Sequence, residues 1–116
     1  MNIVVITGNL TRDTELKYTP SGMAVANMGV AVNKRRKQGE EWVDETSFID
    51  CTAFGKTAER MAEKGTKGVK VCISGELKQD RWEREGKNYS KIIVIVNRVE
   101  VPAVQAQVES DSDSPF

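Results

Sequence analysis

The residue types in this chain that could do chemistry are flat rings and cations, set out with strand spacing. Residues 47–56 read Ser-Phe-Ile-Asp-Cys-Thr-Ala-Phe-Gly-Lys. Successive side chains of an extended strand point to opposite sides, so Ile49, Cys51 and Ala53 share one face while Phe48, Asp50, Thr52 and Phe54 share the other. A face that buried two phenyl rings in a core would rarely carry an aspartate and a threonine beside them. A half-wet face whose rings meet a flat ligand with polar edges would, and nucleobases are such ligands. On these ten residues alone, a small secondary core with Asp50 at its rim explains the pattern as well.

Two further segments combine rings with cations. Lys34, Arg35, Arg36 and Lys37 are followed by Gln-Gly-Glu-Glu-Trp-Val-Asp-Glu, which places four cations at a tip between two strands that turn near Gln38 and Gly39. Such a run is usually a solvated loop, and Glu40, Glu41, Asp44 and Glu45 are near enough to neutralise it. Read functionally, it is a phosphate-tracking finger with Trp42 as an added stacking group. Four contacts to one nucleic-acid strand would add about −2.8 to the log–log salt slope, at roughly −0.7 per contact. In residues 77–84, Trp82 shares a face with Lys78, Asp80 and Arg84, and Glu85-Gly86-Lys87-Asn88 is turn chemistry. Trp82 and Tyr89 thus flank a basic hairpin away from the core strands, which favours stacking over a core role. Lys56, Lys78, Arg84 and Lys87 complete the candidate phosphate contacts.

The elements that position these residues follow from periodicity. Residues 2–9 form a β-branched run closed by Gly8 and Asn9, with Ile3 and Val5 on one face and Val4 and Ile6 on the other. Both faces want cover. The simpler expectation is cover within one chain, the other being a second subunit. Residues 10–18 are mixed and charged, and Pro20-Ser21-Gly22 supplies a turn. Residues 23–33 alternate as a long second strand in which Gly29 suits a bend or bulge of a small barrel. After the strand carrying Phe48 and Phe54, residues 56–64 place Ala58, Met61 and Ala62 at i, i+3, i+4, a short amphipathic helix ending at Gly65 in the C′ position and suited to plugging a barrel end. Residues 68–75, continuing outward to Arg84, make a fourth strand. Residues 89–96, continuing toward Val101 past Asn97 and Arg98, make a fifth.

The chain has 116 residues, 39% of them hydrophobic and 29% charged, which suits one globular domain. No apolar run approaches the roughly 18 to 20 residues that span a bilayer, and Met1 leads straight into a strand-like segment, so a cytoplasmic location with no membrane partner is expected. Cys51 and Cys72 lie in apolar strand contexts and read as buried free thiols. Histidine is absent, which removes the commonest general base and metal ligand, and neither a cofactor nor a metal is called for. The net charge of zero hides an asymmetry. All 17 Lys and Arg lie at or before Arg98, while Glu109, Asp111 and Asp113 lie in the last eight residues. A mildly basic body with a separate acidic end is the pattern of a polyanion binder.

Five strands with one helix between the third and fourth is the order of an OB-fold, a partly open Greek-key barrel. The chain also resembles the bacterial and phage single-stranded DNA-binding proteins along nearly its whole length. The resemblance is carried by Ile6-Thr-Gly-Asn-Leu-Thr-Arg-Asp, Tyr18-Thr-Pro-Ser-Gly with Val25-Ala-Asn, Phe54-Gly-Lys-Thr-Ala-Glu, Gly75-Glu-Leu, Trp82 and the closing Asp111-Ser-Asp-Ser-Pro-Phe116. It implies an all-β OB domain over residues 1–101 with one short helix and extended hairpins, assembled as a homotetramer. It also implies sequence-independent binding of single-stranded DNA in replication, recombination and repair, without enzymatic activity. By position, Phe48, Phe54 and Trp82 correspond to the family's base-stacking aromatics. The family often has a further aromatic after the second strand, where this chain has its four cations and, later, Trp42. Asp50 departs from the basic or neutral residue common on the family's binding face, and would repel phosphate unless a cation pairs with it.

Residues 102–116 have no helix or strand pattern and are too polar to fold alone, so a flexible acidic tail is expected. Asp111, Asp113, Pro115 and Phe116 resemble the family's docking tip for replication and repair proteins. The spacer before it is short, which fits a phage or mobile-element member as well as a bacterial one. Two other classes remain in view. A nuclease would need a carboxylate cluster for a divalent metal, whereas the acidic residues here are scattered. A protein-binding adaptor of a replication complex would use the same rings and cations for a protein partner.

Overall fold

Strands with one apolar side need something to cover it, and in this chain they cover one another by closing into a barrel. The computed structural model describes residues 1–102; the expectations for the acidic tail, including Asp111, Asp113, Pro115 and Phe116, lie outside the described residues. The elements are β1 (Val4–Leu10), β2 (Glu15–Tyr18), β3 (Ala24–Gln38), β4 (Glu41–Phe54), α1 (Gly55–Lys64), β5 (Lys70–Arg84) and β6 (Lys87–Glu100). Five of the strands run in the order β1-β5-β6-β4-β3, and β1 pairs back to β3 through Asn9 with Ala31 and Leu10 with Val30. The barrel closes on its other side through a short parallel pairing, Cys51 with Val94 and Thr52 with Ile95. This is the OB-fold, with the helix between the third and fourth barrel strands.

The sixth strand, β2, is an addition to the expected five. Its charged sequence hides the strand, which forms because Glu15 to Tyr18 pair with Asn27 to Ala24 of β3 outside the barrel. Inside, Leu10, Ala26, Met28, Val30, Cys51, Ala53, Val71, Ile73, Val94 and Val96 make the core. Ala58 and Met61 of α1 are fully buried against them, so the helix plugs one end of the barrel as its apolar stripe requires. Gly65 caps that helix with φ of −93° rather than in the left-handed region. What its missing side chain supplies is room, because a Cβ there would collide with the Thr14 hydroxyl and with Met61.

Three other expectations are corrected by packing. Gly29 marks no bulge, since β3 and β4 stay in register past it. Instead, the Arg12 guanidinium and the Thr11 hydroxyl occupy the space its side chain would fill. The register shift falls between Ser74 and Gly75 of β5. β1 is not covered on both faces, because Val5 is 65% exposed, as is Ile3 just before the strand at 68%. Finally, Cys51 is buried, and burial followed by the neighbouring Asp50 pushes its thiol up to about 12, but Cys72 is only half-buried since it points to the outer side of the barrel.

Two hairpins project past the barrel. In one, β3 and β4 stay paired out to Gln38 with Glu41. In the other, β5 and β6 stay paired out to Arg84 with Lys87. The second arm turns on Glu85 and Gly86, both at positive φ, as a two-residue turn that matches strand twist demands.

Candidate nucleic-acid interface

The period-two reading of β4 places its side chains correctly. Cys51 and Ala53 are buried and Ile49 is largely so, while Phe48 and Phe54 are exposed on the opposite face. Opposite Phe48 across the sheet lies Ala31, and opposite Phe54 lies Val25. Small neighbours leave the rings standing clear. Phe48 is 73% exposed, and Phe54, Trp82, Tyr89 and Trp42 lie between 41% and 58%. Free rings of this size on a polar face are what a stacking platform requires. The polar groups between them are ordered within the sheet, where the Thr52 hydroxyl donates to Asn27 Oδ1 at 3.0 Å and the Thr46 hydroxyl donates to Asn33 Oδ1 at 2.6 Å.

The run of four cations does not sit at a tip. Lys34, Arg35, Arg36 and Lys37 belong to β3, and the turn follows at Gly39 and Glu40. Because strand side chains alternate, the run divides. Arg35 and Lys37 lie opposite Asp44 and Trp42, on the face of Phe48 and Phe54, whereas Lys34 and Arg36 lie opposite Glu45 and Val43 on the reverse. Two cations rather than four can therefore follow one strand on that face, for a slope contribution of about −1.4. Arg35 is engaged already, its guanidinium 5.3 Å from the Trp42 ring centre and its Nε 3.7 Å from Asp44. Arg36 Nη2 lies 3.0 Å from Glu45.

The β5–β6 arm carries its rings together. Trp82 and Tyr89 are cross-strand partners stacked with centroids 5.8 Å apart and planes inclined by 20°. Lys78 shares their face but holds Asp80 at 2.8 Å. At the end of the arm Arg84 lies directly opposite Lys87. Like charges in that arrangement destabilise a hairpin, so the pair does not serve folding. Lys56 is exposed on the first turn of α1, two residues beyond Phe54.

Beside the parallel pairing of β4 with β6 stands an ion pair that sequence reasoning missed. Lys91 Nζ lies 3.0 Å from Asp50 Oδ2, which supplies the cation that Asp50 needs. Lys91 is two residues from Tyr89 on β6 and Asp50 two from Phe48 on β4, so the contact places both ring-bearing faces on one side of the molecule. Period two from Tyr89 was a signal for Lys91. Arg12, present in the family-like Ile6 to Asp13 segment but with no pattern placing it here, reaches the same surface where Gly29 makes room. Asp50, Lys91 and Arg12 border a hollow of about 330 Å³ between the arms.

Residues 1–102 match the family model described as the single-strand binding protein family. Among curated proteins, the single-stranded DNA-binding protein of Treponema pallidum is 44% identical over 101 residues, covering 87% of this chain and 57% of that protein. Its counterpart in Borreliella burgdorferi is 40% identical, covering 87% of this chain and 69% of that protein. The Aquifex aeolicus protein of the same name is 38% identical, covering 99% and 82%. The chain thus spans little more than half of the Treponema protein and most of the Aquifex one. With the OB barrel, the exposed rings and a family match over all of its described length, the chain belongs to the single-strand binding protein family.

Proposed function

We propose that this chain binds single-stranded DNA without sequence preference, stacking bases on exposed rings while cations follow the backbone. The observation that carries the reading is the exposure of Phe48, Phe54, Trp82 and Tyr89 on strands that meet where Asp50 pairs with Lys91. Rings stack on any base and phosphates are uniform, so such a surface holds a strand open and protects it with no bond made or broken. Phe48, Phe54, Trp82, Tyr89 and Trp42 are the stacking groups. Arg84, Lys87, Lys37 and Lys56 are the readiest phosphate contacts, with Arg35 and Lys78 available on loss of their carboxylate partners and Lys34 and Arg36 on the reverse of the arm. The relatives named above carry single-stranded DNA binding in their names, which supports the same reading.

In this proposal the binding domain is residues 1–101 and the protein works in replication, recombination and repair. Asp111, Asp113, Pro115 and Phe116 form a tip that docks onto partner proteins. The exposed Ile3 and Val5 supply an apolar strand face for a second copy, in keeping with a homotetramer. Tryptophan fluorescence tests the core of the reading. Adding poly(dT) quenches Trp82 and Trp42, salt weakens the effect and duplex DNA has little; a chain that shows no quenching is a protein-binding adaptor instead.

A further inference from the structure

We infer that Lys91 is a further DNA-contacting residue, held in reserve by Asp50, which occupies the position a phosphate takes in the complex. The inference rests on the single-strand reading above and concerns the same surface. A strand whose bases stack on Phe48 and on Trp82 must cross the contact between β4 and β6, and the pair that stands there is Asp50 with Lys91 at 3.0 Å. Each side chain is about half exposed, at 50% and 49%, so the pair is open to an incoming phosphate and contributes little to the fold.

Charge decides which partner Lys91 takes. The hollow at this crossing carries two cations, Arg12 and Lys91, against three carboxylates, Glu15, Asp50 and Asp80. Asp80 lies opposite Lys91 across the β5–β6 sheet and is itself engaged by Lys78 at 2.8 Å. Lys17 likewise lies 3.9 Å from Glu15, so an arriving phosphate meets no free positive charge from Lys91 until Lys91 leaves Asp50. The freed carboxylate then gathers a salt cation as the DNA releases one, so the exchange yields little net counterion release. Removing the Asp50 charge makes Lys91 an ordinary phosphate contact, with its full share of release at roughly 0.7 ions per contact for single strands.

The test is the salt dependence of binding to a labelled dT oligomer for the full chain and for D50N, K91M and the double variant. D50N binds more tightly at low salt, and its slope is steeper by about 0.7, so that its affinity falls about 2.6-fold more than the parent's between 50 and 200 mM salt. K91M weakens binding in the parent and abolishes the D50N gain in the double variant, while K91R retains it, a non-additivity expected of groups that act on one another. A D50N slope equal to the parent's, or weaker D50N binding, shows that the pair only braces the two arms and overturns the inference while leaving strand binding intact. If the parent itself does not bind the oligomer, both readings fall together.

Discussion

The β3–β4 arm and the β5–β6 arm are built alike and charged differently. The first holds the most conspicuous cation run in the sequence, yet two of its four cations face away from the rings, Arg35 is shared between Trp42 and Asp44, and Arg36 is paired with Glu45. The second holds a less conspicuous pair, Arg84 and Lys87, which face each other with no carboxylate partner within 4 Å among the described residues. Its rings are likewise concentrated, stacked on each other, where those of the first arm are spread along β4 from Trp42 to Phe54. Cation density along a chain is thus a poor guide to free positive charge. Cross-strand register sets the partner of each cation, and a paired cation has less to give a phosphate.

That contrast can be broken by substitution, beginning with the rings. W82A should cost single-strand affinity about 1–3 kcal/mol, and F48A and F54A similar amounts, each alike for different base sequences. W42A should cost less than any of them, because Arg35 already lies over its ring. Anisotropy titrations with labelled dT oligomers rank the four, and a W42A loss equal to that of W82A would remove the distinction between the arms.

Charge sharpens the comparison with a smaller effect. Replacing Arg84 and Lys87 together with glutamine should flatten the log–log salt slope by about 1.4, whereas the same change at Lys34 and Arg36 should leave it nearly unaltered. Equal changes would mean that the reverse face of the first arm also follows DNA. The smallest effect belongs to folding. A double-mutant cycle on Arg36 and Glu45, read by thermal denaturation, should return about 0–1 kcal/mol, as exposed pairs do.

Much of this was legible beforehand. The alternation of β4 told which of its residues were outward, and the stripe of Ala58 and Met61 told that α1 would plug the barrel. The motifs spread along the chain pointed to the family. β2 was not legible, because its charged residues form a strand only where β3 offers an edge. Nor was the exposure of Ile3 and Val5, since their pattern is the same whether a strand is covered by its own chain or left open. The four cations were misplaced at a tip because a charged stretch carries no mark of being strand or loop when its partner strand is charged too.

The sequence by itself determined the alternation of rings and core residues on β4, the order of strands around one helix, and the supply of cations, since these depend on local side-chain geometry and composition. Tertiary structure alone decided which cations are free, that Lys91 meets Asp50, and that two hairpins distant in the chain present their rings on one side. Those outcomes depend on register between strands and on closure through a parallel pairing of only two residue pairs, Cys51 with Val94 and Thr52 with Ile95. A slip of one residue there would turn the side chains of a strand to its other face, and no local pattern records which register wins.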